Sequence, residues 1–109
     1  MDDKLQIFME YKVKPEKESL YREVMAEIAA VLPTYEVSNF QWFSAFDQDG
    51  LFVEMFEVPT PSHYHTLKKW RTSKSHQVFS KLDECVKGGT EKIHCWAFQA
   101  KTDELDSRR

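Results

Sequence analysis

From Leu5 to Val13 the chain alternates. Leu5, Ile7, Met9, Tyr11 and Val13 fall on one face and Gln6, Phe8, Glu10 and Lys12 on the other, the period of a β-strand. Pro15 suits the first position of a helix, where its missing N–H costs nothing. Leu20, Val24, Ile28, Val31 and Leu32 then recur at helical spacing as one apolar stripe, and Pro33 ends the run. Phe40 to Phe46 and Leu51 to Val58 read as strands rich in aromatic and β-branched residues. Asp47-Gln-Asp-Gly50 between them predicts a hairpin, with Gly50 able to take the positive φ of a tight loop. Thr60 followed by Pro61 predicts a helix cap and first turn, and Tyr64, Leu67 and Trp70 mark the short helix it opens. A further helix is expected from Ser73, with Val78, Phe79, Leu82 and Val86 facing the core and Gly88-Gly89 stopping it. Ile93 to Gln99 reads as the last strand, and residues 101–109 as a polar, frayed tail.

The order βαββαβ, with its second helix broken in two, predicts an α+β, ferredoxin-like domain over residues 1–100 with an antiparallel four-stranded sheet. Helices on one face of such a sheet leave the other bare. Phe8, Phe52 or Phe56, Trp96 and Phe98 are the expected occupants of that bare face, a patch a soluble monomer does not tolerate. A homodimer packed sheet against sheet is the expected remedy. Whether Trp42 and Phe46 lie on the face of Glu54 depends on a hairpin register the pattern leaves open, because a slip of one residue reverses every side chain.

Composition narrows the function classes. The 109 residues carry a net charge of −3 and 14% aromatics, with eight Phe, four Tyr and three Trp. That aromatic load exceeds what a minimal core needs and points to a pocket or a subunit interface, or equally to a core rich in Phe. An acidic chain with no basic run longer than Lys68-Lys69 is a poor match for nucleic acid. The longest apolar run, Ile28 to Leu32, is too short to span a bilayer. Cys85 and Cys95 form no CxxC or metal-ligand spacing, so they read as reduced thiols. The start, Met1-Asp-Asp-Lys4, lacks the pattern of a secretory leader, and a cytoplasmic protein is expected.

Three local motifs then carry a resemblance. Val13-Lys-Pro15 leads into the first helix, Phe52-Val-Glu54-Met-Phe56 forms the third strand, and Ser73-x-x-His76-x-x-Phe79 follows the short helix. In this order over residues 5–99 the chain resembles the dimeric α/β-barrel superfamily, and within it the antibiotic-biosynthesis-monooxygenase-like domains. The resemblance implies a dimeric α/β barrel, a pocket between sheet and helices, and a cofactor-independent oxygenase type of chemistry. The haem-degrading branch of related folds carries an Asn on the first strand, a Trp before the last helix and a His ligand about three turns beyond it. Trp70 fits, but the strand offers Met9, Glu10 and Tyr11, and the ligand position falls near Ser80, with His76 a turn earlier. Haem degradation is therefore disfavoured, since iron needs its axial ligand.

His76 is the leading catalytic candidate. A neutral imidazole can take a proton from a phenol or enol before oxygen attacks. The same residue, three positions after Ser73, can instead serve as a helix cap. Glu54 stands among Phe52 and Phe56, and Glu10 beside Phe8, where a carboxyl can either pass a proton or pair with a basic residue at a dimer rim. Tyr11, Glu54, Trp70 and Phe79 are the expected walls for a hydrophobic, aromatic or quinone-like molecule. His63-Tyr64-His65 is no chelate, because helical residues two apart point to different sides. No metal, cofactor, nucleic acid or membrane partner is expected. The two readings are a cofactor-independent monooxygenase and a non-catalytic binding protein of the same fold.

Overall fold

The structure is a computed structural model and describes residues 4–106, with no account of the Asp106 side chain. Four strands, β1 (Leu5–Lys12), β2 (Ser38–Ser44), β3 (Leu51–Val58) and β4 (His94–Phe98), form one sheet in the order β2-β3-β1-β4. Every neighbouring pair is antiparallel. Two helices cover one face, α1 (Glu18–Val31) and α2 (Pro61–Arg71), and a short α3 (Thr102–Asp106) follows β4. This is the ferredoxin-like α+β arrangement. None of the described helices is long and apolar enough to cross a membrane.

The alternation of β1 becomes its two faces. Leu5, Ile7, Met9 and Tyr11 are buried against the helices, joined by Phe52, Phe56 and Val58 of β3 and by Tyr21, Val24, Met25 and Ile28 of α1. Each fully buried Phe or Ile of this set contributes about 1.5–3 kcal/mol relative to exposure. The helix expected from Pro15 begins with a 3-10 turn, Pro15–Lys17, and becomes α-helical at Glu18. Beyond Val31 the chain tightens into a second 3-10 turn, Leu32–Tyr35, closed by Glu36 at φ 64°. Thr60 caps α2 as its sequence suggests, its side chain accepting from the His63 N–H at 3.2 Å. His63 Nδ1 also lies 2.7 Å from Thr60 Oγ1, so this His serves the cap.

Three expectations need correction. The segment from Ser73 is not an α-helix. Ser73 Oγ lies 3.4 Å from the Trp70 carbonyl and 3.5 Å from the Ser75 N–H, local bonds that compete with a helical ladder. A 3-10 helix, Phe79–Glu84, follows, and its threefold period explains why Phe79, Leu82 and Cys85 are all buried. The expected frayed tail carries α3 over Thr102–Asp106, while residues 107–109 lie outside the described part. Finally, Phe52 and Phe56 face the core, so the open sheet face belongs to other residues.

That open face is laid out by the register. One row across it reads Gln41, Met55, Phe8, Trp96, and the next Phe43, Val53, Glu10, His94. Phe8 stacks on Trp96 with ring centroids 5.7 Å apart. Phe43, Trp96 and Phe98 remain 45%, 44% and 53% exposed. The same register puts Trp42 opposite Glu54, on the core side, whereas Phe46 at the hairpin is fully exposed.

Candidate functional site

Two charged residues occupy core positions. Glu54 sits between Phe52 and Phe56 on the buried face of β3, and Arg71 follows Leu67 by four residues on the buried side of α2. They meet as a bidentate pair, Arg71 Nη1 donating to Oε1 at 2.9 Å and Nη2 to Oε2 at 2.7 Å, with neither side chain exposed. Fork-to-fork pairing satisfies the carboxylate geometrically and offsets the cost of burying both charges. Burial pulls the guanidinium down, but the Glu54 charge and its hydrogen bonds outweigh this and hold Arg71 firmly protonated. Arg71 Nε has no hydrogen-bond partner, and the guanidinium lies over the Phe79 ring at 5.2 Å.

From Glu54 a polar chain runs outward. Tyr11 Oη is 2.5 Å from Glu54 Oε2, Tyr21 Oη is 2.7 Å from Tyr11 Oη, and Trp42 Nε1 is 2.8 Å from Tyr21 Oη. Its direction follows from its ends. An indole N–H can only donate and a carboxylate can only accept, so Trp42 donates to Tyr21, Tyr21 to Tyr11, and Tyr11 to Glu54. Burial first, and then the Glu54 charge, raise the Tyr11 phenol well above its ordinary range; burial likewise raises Tyr21. Both stay protonated. Trp42, 36% exposed, brings the outer end of this chain to the surface beside Phe43 and Ser44, where a small cleft of about 160 Å³ opens.

His76 lies on the far side of Arg71. Its Nδ1 accepts from the backbone N–H of Val78 at 3.0 Å and of Phe79 at 3.1 Å, and its Nε2 is 2.7 Å from Tyr35 Oη. An Nδ1 that accepts is unprotonated, which leaves Nε2 as the protonated nitrogen donating to Tyr35. Its capping is therefore direct: the imidazole takes the two N–H groups that begin the next turn, and Ser73 is not its partner. Phe79 stacks on it at 4.0 Å, with Trp70 at 5.6 Å and Tyr35 at 5.8 Å. Burial, and then the Arg71 charge, lower its pKa.

Of the expected site residues, Tyr11 and Glu54 share one network and Trp70, His76 and Phe79 share an aromatic cluster. Arg71 bridges the two. Arg71, Tyr21, Trp42 and Tyr35 were not singled out by the sequence. The available signal was a charge of each sign at core-facing positions, Glu54 on the Phe52 and Phe56 face and Arg71 in the Leu67 register.

A cleft of about 580 Å³ opens at one end of the sheet, lined by Tyr11, Lys12, Leu51, Lys87, Lys92 and His94 among others. The Lys87 N–H donates to the Lys12 carbonyl at 2.9 Å, which ties the loop before β4 to the end of β1 and fixes the cleft wall. Among the described residues no cluster of His, Cys, Asp or Glu could hold a metal ion.

Solved structures with this fold are similar over nearly their whole length. A conserved protein of Methanosarcina mazei superposes with a TM-score of 0.71 at 13% identity, covering 90% of this chain and 93% of that one. A candidate antibiotic biosynthesis monooxygenase of Caulobacter crescentus gives 0.69 at 12% identity, covering 91% of each chain. The chain shares its ferredoxin-like α+β fold with these proteins. A variant of SnoaB, a cofactor-independent oxygenase of Streptomyces nogalater, shares this fold with a TM-score of 0.67 at 12% identity, covering 91% of this chain and 94% of that one. No protein-family model and no curated protein matches the sequence.

Proposed function

We propose that the chain acts as a homodimer, sheet against sheet, and binds a hydrophobic aromatic small molecule in each subunit, with cofactor-independent oxygenation of that molecule as its activity. The 580 Å³ cleft carries the binding reading, because its volume lies within the range of about 300–1,000 Å³ typical of small-molecule sites. The exposed Phe43, Trp96 and Phe98 on the open sheet face support the dimer. The likeness to a cofactor-independent oxygenase supports the chemistry. In such a reaction one atom of O₂ enters an electron-rich ring carbon as a carbonyl oxygen. The other leaves as water, and the substrate supplies all the electrons. Of the expected wall residues Tyr11 lines the cleft, while Glu54, Trp70, Phe79 and His76 stand outside its lining. For His76 to act as the base, its Nδ1 must first release the N–H groups of Val78 and Phe79.

That requirement favours a second reading, a binding protein of the same fold without turnover. Oxygen uptake separates the two. The protein is incubated in air with quinols and phenols while oxygen consumption and melting temperature are followed, since ligands that bind only the folded state raise it. Melting shifts with oxygen uptake support the oxygenase, and shifts without uptake support the binding protein. No shift with any hydrophobic aromatic sinks both.

A further inference from the structure

The large cleft gathers three lysines in an acidic chain. Lys4, Lys17, Lys74, Lys81 and Lys101 each lie within ion-pair distance of a carboxylate elsewhere in the molecule. Six other lysines, Lys12, Lys14, Lys68, Lys69, Lys87 and Lys92, have no such partner among the described residues, and three of these, Lys12, Lys87 and Lys92, line one cleft. They come from the end of β1 and from both sides of the Gly88-Gly89 turn. Gly88, at φ +81°, leaves room for the Lys92 stem: a Cβ there would stand 2.5 Å from Lys92 Cγ. One carboxylate, Glu10, shares the wall, directly across the strand pair from His94. Three lysines thus face one acid in a chain whose net charge is −3. A cleft in which one sign of charge predominates draws in ligands of the opposite sign.

We infer that this cleft takes an aromatic molecule bearing a carboxylate, with the charged end toward the Lys87–Lys92 loop and the ring toward Leu51 and the sheet. A cleft of about 580 Å³ is far larger than a bare inorganic anion needs, which leaves room for an organic body. On the sheet side Glu10 stands two residues from Lys12 on β1, so the charges there offset and the net positive charge lies on the Lys87–Lys92 loop; a hydroxyl at the sheet end meets Glu10 or His94. The inference rests on the aromatic-binding reading above and adds the charge of the ligand to it.

Calorimetric titration of the 109-residue chain with 1-naphthoate and with 1-naphthol tests it, since the probes share a ring system and differ in charge. The expected result is tighter binding of naphthoate at low salt, by about fivefold for each lysine engaged. That preference shrinks as ionic strength rises. The Lys87→Gln, Lys92→Gln double variant should lose the preference and bind the two probes alike. Equal affinity for the two probes, or a preference that survives in the double variant, overturns the inference and leaves the aromatic-binding reading standing. Binding of neither probe overturns both.

Discussion

Arg71 grips Glu54 with both terminal nitrogens, at 2.9 and 2.7 Å, in a place where neither side chain meets solvent. The pair pins α2 to the middle of β3 and supplies the acceptor on which the Tyr11, Tyr21 and Trp42 chain ends. Removing one partner leaves the other charge buried and unpaired. Arg71→Leu or Glu54→Gln is therefore expected to cost about 3–5 kcal/mol of folding stability. Replacing the pair together, Glu54→Met with Arg71→Leu and Tyr11→Phe, should recover part of that loss, the remainder being the Tyr21 hydroxyl left without its acceptor. Urea unfolding of the variants checks both statements, and a loss under about 1 kcal/mol for the single variants contradicts them.

The directed chain makes a second prediction. In Tyr11→Phe the Tyr21 hydroxyl loses its acceptor, while Glu54 keeps both Arg71 bonds. A cost of about 1–3 kcal/mol is expected, the penalty for a buried polar group left unsatisfied. Because Trp42 donates to Tyr21, its indole should also become less restrained. Chemical denaturation and tryptophan fluorescence anisotropy report the two effects separately. An unchanged stability means the phenols do not depend on one another.

His76 makes stability depend on pH. Burial and the Arg71 charge lower its pKa from the ordinary 6.5, so between the folded and unfolded values the unfolded chain binds more protons. The stability from neutral His76 is fully present above about pH 6.5 and is lost as pH falls through the lower folded value. Protonation also takes the Nδ1 lone pair from the Val78 and Phe79 N–H groups. His76→Asn keeps a capping acceptor without titrating, so its stability should fall less than the wild type's between pH 7.5 and 5. Equal falls would show that His76 does not titrate in this window.

Cys85 and Cys95 are both buried and unpaired. Burial pushes the Cys95 thiol up to about 11 and raises that of Cys85 as well. Neither should form much thiolate at neutral pH, which is the reactive form. A chromogenic disulfide reagent should therefore titrate neither in the native protein and both in denaturant. Rapid native labelling of either thiol contradicts this.

Much of the fold was legible because apolar periodicity decides which face of each element is buried. The alternation from Leu5 to Val13 and the stripe along α1 give β1 and the first helix directly. The Thr60-Pro61 cap fixes the start of α2. Ser73 to Glu84 reads as an α-helix because the spacing of Phe79 and Leu82 suits both helix types and Val86, which lies beyond the 3-10 helix, completes the α-helical pattern. What decides between them is local, the Ser73 bonds and the His76 side chain claiming two backbone N–H groups. The hairpin register was beyond the pattern for a similar reason. Aromatics stand on both faces of β2, so only the pairing of Trp42 with Glu54 reveals which side is core. Glu54 drew attention as an acid among aromatics. Its partner did not, because a lone Arg on a surface-like helix reads as solvated until the helix is docked. The basic cleft was equally hidden, since its lysines are scattered along the chain and meet only when the Lys87–Lys92 loop folds onto the end of β1.

The homodimer is the central proposal: a second copy packed on the open sheet face would cover Phe8, Phe43, Trp96 and Phe98. Sedimentation equilibrium at micromolar concentration tests it most directly, comparing the wild type with a Trp96→Lys, Phe98→Glu variant whose changes lie on that face alone. The account predicts a wild-type mass twice the 12.9 kDa of one chain and a folded, monomeric variant. A wild type that sediments as a monomer, or a variant that remains a dimer, contradicts it.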